Sequence, residues 1–90
     1  MKLEDALFNW LQMKIVSEAR PEDKAAEETR LFFEEILRED HAVSELTTSD
    51  EDMRIHITYE VNGSSSKLYF DKDYAEQLLH DINSNPKYNQ

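Results

Sequence analysis

Chemistry in this chain could rest on three groups of residues: the histidines His41, His56 and His80, a run of carboxylates through the middle, and the loop Asn62-Gly63-Ser64-Ser65-Ser66-Lys67. A glycine followed by serines and a lysine has the composition of a phosphate-cradling loop. Such a loop needs several glycines, so that consecutive backbone N–H groups turn toward the anion, and a helix beginning at the lysine. Gly63 is the single glycine of the chain, and Lys67 leads into the strand-like Leu68-Tyr69-Phe70. The stretch is expected to be a turn.

The histidines have no short ligand spacing, whereas zinc wants paired ligands such as two histidines on one helical turn. His80 and Asp81 are adjacent, so their side chains diverge on a helix. Asp50-Glu51-Asp52 lacks the alternating ligands, bend glycine and terminal bidentate acid of a calcium loop. Neither a metal nor a cofactor is expected. The chain has no cysteine, and no serine stands in a nucleophile elbow. Glu27, Glu28, Glu34 and Glu35 are abundant carboxylates, but on the polar side of an amphipathic helix no pocket is expected around them. The expected role is therefore binding, not catalysis.

Twenty acids against ten bases give a net charge of −10 over 90 residues. Residues 1–17 balance, residues 53–90 carry −1, and residues 18–52 carry −9, so the excess is concentrated in one segment. Such a field repels nucleic acid and anionic membrane and attracts basic partners. The start, MKLEDALFNW, places Glu4 and Asp5 where a secretory signal needs a basic start and an apolar run. No apolar segment approaches the ~20 residues that span a bilayer. A soluble, cytoplasmic protein is expected, and the absence of cysteine suits a reducing compartment.

These groups must be positioned by a small number of elements. Leu3, Ala6, Leu7, Trp10 and Leu11 recur at helical spacing, and Phe8, Met13, Ile15 and Val16 widen the stripe, predicting a helix over about residues 3–18. Its apolar circumference exceeds that of a surface helix, which predicts self-association, a homodimer through this first helix. Arg20-Pro21-Glu22-Asp23 breaks the chain, with Pro21 suited to the first turn of a new helix. Ala25, Ala26, Thr29, Phe32, Phe33, Ile36 and Leu37 predict a second helix to about residue 39, with Glu27, Glu28, Arg30, Glu34, Glu35 and Arg38 opposite. Glu34 and Arg38 stand at i,i+4 spacing with the acid first. Residues 41–48 favour extended chain but alternate imperfectly, and Ser49 to Asp52 looks like a turn.

Met53, Ile55, Ile57, Tyr59 and Val61 alternate strictly with Arg54, His56, Thr58 and Glu60, the pattern of a half-buried strand. With Asn62-Gly63 at a two-residue turn, Ile57 falls opposite Leu68 and Ile55 opposite Phe70, so the apolar residues of both strands share one face. Arg54, His56, Thr58, Lys67 and Tyr69 then share the other face. Asp73, with Glu76 three residues later, predicts the start of a last helix, in which Ala75, Leu78, Leu79 and Ile82 form the buried stripe and which ends before Pro86.

The expected architecture is α+β: two helices, a small antiparallel sheet of two or three strands with the hairpin at Asn62-Gly63, then a C-terminal helix, the helices on one sheet face. A single domain over residues 1–85 and a flexible tail over 86–90 are expected. The expected function is a small acidic, non-catalytic protein-binding module, regulatory or accessory. Its basic partner would be met by Glu27, Glu28, Glu34 and Glu35 and by the turn Asp50, Glu51 and Asp52. The alternative is a sheet-face binder of nucleic acid or a small anionic ligand through Arg54, His56, Lys67 and Tyr69.

Overall fold

The computed structural model describes residues 1–85; the tail expected over 86–90 lies outside the described residues. Helix α1 (Leu3–Ala19) and helix α2 (Lys24–His41) form a helical hairpin, followed by strands β1 (Val43–Glu51), β2 (Arg54–Val61) and β3 (Ser64–Asp71) and by the short helices α3 (Lys72–Ala75) and α4 (Gln77–Ser84). The strands form one antiparallel sheet in the order β1-β2-β3, and the helices cover one of its faces.

The hairpin register follows the alternation of the sequence: Ile55 pairs with Phe70, His56 with Tyr69, Ile57 with Leu68 and Thr58 with Lys67. Asn62 and Gly63 both adopt positive φ, as a two-residue turn of this hand requires. Ile55 and Ile57 are buried, while Leu68 and Phe70, on the outer strand of the sheet, are half-buried. The first strand explains its own imperfect alternation. A bulge between Val43 and Glu45 absorbs Ser44, which lets Val43 and Leu46, three residues apart, face the same core. β1 runs on to Glu51, so the turn is only Asp52-Met53, shorter than the expected Ser49 to Asp52.

Much of the apolar circumference of α1 is buried within the chain. Ala6, Leu7, Trp10, Leu11 and Val16 are buried, Leu7 and Leu11 meeting Leu37 of α2 together with Ile55 and Ile57 of the sheet in one core. Phe8, half-buried, packs its ring 4.9 Å from Phe70 and stacks at 5.0 Å on Tyr74, tying α1 to β3 and α3. Of the residues that widen the stripe, Val16 is buried, and Phe8, Met13 and Ile15 are half-buried.

Two helix starts differ from expectation. α2 begins at Lys24, not at Pro21, because Asp23 caps it by accepting the Ala26 N–H at 3.1 Å. α3 is capped by Asp71, which accepts the Tyr74 N–H at 3.1 Å, and Asp73 lies inside the first turn. In both cases the carboxylate nearest the last extended residue wins, since only there does the side chain reach the free N–H groups.

Candidate functional surface

α2 does not bury its apolar stripe as one face. Only Ala26 and Leu37 are buried; Phe33 and Ile36 are half-buried, Leu31 is 50% exposed and Phe32 56% exposed. At 3.6 residues per turn Phe32 and Leu37 stand about 140° apart around the helix. Among the described residues α2 packs mainly on α1 and on β1, so one side of the stripe is covered and the other opens outward. Phe32, Glu35, Ile36, Glu39 and Asp40 line a shallow groove on that open side. The Phe32 ring is braced edge-on against Phe33, centroids 5.4 Å apart.

The four glutamates expected to act together split into two pairs. Glu27 and Glu34 lie along one side of the helix, and Glu28 and Glu35 about 100° away beside Phe32. Glu34 faces inward: its Oε2 accepts the indole N–H of the buried Trp10 at 3.1 Å and an Arg30 N–H at 3.2 Å. It pairs with Arg30, while Arg38 lies 3.8 Å from Glu39, so the expected Glu34–Arg38 pair is not formed. Glu27 flanks the same arginine at 3.9 Å. Glu34 is thus a structural acceptor, and the outer acids beside Phe32 are Glu28, Glu35, Glu39 and Asp40. The role of Glu34 had one signal in the sequence, a tryptophan in an apolar helix whose N–H must find an acceptor when buried. The exposure of Phe32 had none, because an amphipathic stripe does not say how much of itself a neighbour will cover.

The expected acidic turn is also dispersed. Asp50 holds Lys72 at 3.2 Å, and this hydrogen bond and charge raise the Lys72 pKa above its ordinary value. Glu51 pairs in register with Arg54 on the uncovered sheet face, and Asp52 sits in the turn.

On that uncovered face the structure does bring Arg54, His56, Lys67 and Tyr69 together. The Arg54 guanidinium carbon lies 4.6 Å from the centroid of the Tyr69 ring, and the His56 and Tyr69 rings are 5.6 Å apart. Strand β1 adds Glu45 and Glu51 to the same face, which also carries Glu60 and Asp71. The patch is of mixed charge, a poor surface for a polyanion. Elsewhere, a cleft of about 380 Å³ runs between α1, the β1–β2 hairpin and the last helices, with Leu11, Ile15, Ile55 and Leu79 in its wall. Lys14 and Glu18, paired at 3.1 Å, and Asp50, which holds Lys72, also line it. Its lining contributes no histidine, and Thr48 supplies its one hydroxyl. Among the described residues no three histidine, aspartate or glutamate side chains are grouped to hold a metal ion, and no helix is long and apolar enough to cross a membrane.

The chain finds no match among family models, curated proteins or solved structures.

Proposed function

We propose that this chain is a non-catalytic, cytoplasmic protein-binding module whose working surface is the outer side of α2, and that its partner is a basic segment with an apolar anchor. The observation that carries this is the exposure of Phe32 beside Ile36 in a groove with Glu35, Glu39 and Asp40, with Glu28 one turn before Phe32. An apolar centre with a polar rim is the anatomy of an interface, and large aromatics supply most of the energy at such centres. A patch that is merely solubilising has no use for an exposed phenylalanine. The carboxylate rim selects for positive charge and speeds encounter, while the apolar centre retains the partner once bound.

The test is a comparison of partners captured from cell extract by the parent and by three variants. Phe32→Ser, or Glu28→Lys with Glu35→Lys, is expected to lose the partners that the parent retains at low salt. Lys67→Ala with Tyr69→Ala on the sheet face is expected to keep them. The opposite pattern would transfer the function to the sheet face, and retention by all three variants would remove the α2 surface from consideration.

A further inference from the structure

We infer that strand β3 is a self-complementary edge through which two copies of this chain pair antiparallel about Tyr69, joining their sheets into one of six strands. The inference goes beyond the α2 surface and is independent of it.

Both outer strands of a three-stranded sheet expose one row of backbone N–H and C=O groups. β1 blunts its edge with the bulge at Ser44 and with Glu45, Asp50 and Glu51. β3 has no bulge, pairing residue for residue with β2 from Ser64 to Asp71. The two-residue turn decides which of its backbone groups point outward. Residues flanking such a turn, Val61 and Ser64, exchange hydrogen bonds with each other, and the pattern then alternates. Ser64, Ser66, Leu68 and Phe70 consequently bond inward to β2, and Ser65, Lys67, Tyr69 and Asp71 direct their N–H and C=O groups to the free edge.

A two-fold axis relating two such edges passes either through an outward residue, with a hydrogen-bonded pair at the centre, or through an inward one, with a non-hydrogen-bonded pair there. Centred on the inward Ser66, Leu68 or Phe70, it sets Lys67 opposite Ser65, Tyr69 or a residue beyond the end of β3, with no opposite charge on the strand to meet it. Centred on Lys67 or on Asp71, it sets like charges face to face. Centred on Ser65, it pairs little more than the turn. Centred on Tyr69, it sets Lys67 opposite Asp71 of the second copy twice over and Tyr69 opposite Tyr69. On the helix side it brings Leu68 against Phe70, the two apolar residues of β3 that the single chain leaves half-buried. Charge, aromatic and apolar pairings are satisfied by this one register, and each is a favourable cross-strand pair. The Asp71 carboxylate uses Oδ2 to cap α3, and Oδ1 is available to the lysine.

Sedimentation equilibrium at about 0.15 M salt, where the Debye length is about 8 Å and repulsion between distant acids is screened, should reveal a reversible dimer at chain concentrations up to about 1 mM. Tyr69→Pro should abolish it. Tyr69 has no ladder bond to β2 to lose, and proline is tolerated where its nitrogen faces solvent. Lys67→Glu, an exposed change that spares the fold, should weaken the dimer at least tenfold by opposing Asp71. Nuclear Overhauser contacts between labelled and unlabelled copies should link Leu68 to Phe70. A parent that stays monomeric at about 1 mM, a Lys67→Glu variant as dimeric as the parent, or intermolecular contacts confined to helical residues would each overturn the proposal.

Discussion

Replacing Met53 with glycine should make this protein more stable, although it removes a large side chain and adds backbone freedom. Asp52 and Met53 form the two-residue turn between β1 and β2, at φ of 50° and 63°. A residue bearing Cβ pays roughly 1–2 kcal/mol to occupy this left-handed region. Glycine avoids that cost but loses more entropy on folding, roughly 0.5–1 kcal/mol. The Met53 side chain is 63% exposed and so returns little burial energy, while its carbonyl, which accepts the Lys72 N–H at 2.9 Å, is retained by glycine. The net gain should be about 0.5–1 kcal/mol, a rise in melting temperature of roughly 3–6 °C for a domain of this length. Thermal and urea unfolding followed by circular dichroism measure it. Met53→Ala, which keeps Cβ in the same conformation, is the control and should stay within about 0.5 kcal/mol of the parent. A glycine variant no more stable than the alanine variant would refute the reasoning, since backbone strain would then not be what distinguishes them.

Ala42, the left-handed residue that ends α2 at φ 57°, should behave in the same way, Ala42→Gly raising the urea midpoint by a similar amount. Glu34→Ala should cost about 1–3 kcal/mol by leaving the buried Trp10 N–H without its acceptor, whereas Glu34→Gln, which keeps an oxygen, should cost less and Glu35→Ala almost nothing. Denaturation midpoints separate the three. The Lys72 pKa is raised chiefly by its hydrogen bond to Asp50, so the stability it contributes is fully present below the ordinary lysine value and is lost as pH rises through the raised one. Asp50→Asn should return the Lys72 titration, followed by NMR, toward the ordinary value.

The parts of the fold legible in the sequence are those in which one local rule acts without competition. Strict alternation in β2 and the Asn62-Gly63 turn together determine register, because a slip by one residue would expose Ile55 and Ile57. Where two neighbours competed for a residue, periodicity was not enough. Ser44 could be placed only once Val43 and Leu46 had a common core to face. The apolar stripe of α2 is the same whether one side or both are covered, and only the position of α1 leaves Phe32 outside. Glu34 shares its sequence surroundings with Glu35, yet one holds Trp10 and the other meets solvent, a difference of about 100° of helix that only packing resolves.

The helical hairpin and the strand meander are each made from neighbours in sequence, and this has a kinetic consequence. A β-hairpin closes in about 1–10 μs, and two helices joined by a short turn need little loop entropy to meet. The core itself is different, since Leu7 and Leu11 near the beginning of the chain must find Ile55 and Ile57 in its second half. That closure carries the entropic cost of long-range contact and should govern the folding rate. Trp10 lies where the two units dock, its indole on Glu34 and its ring in the shared core. Its fluorescence should therefore reach the native value only after the backbone signal of both hairpins has begun to appear, and substitutions at Ile57 should slow folding while those at the Asn62-Gly63 turn should act earlier.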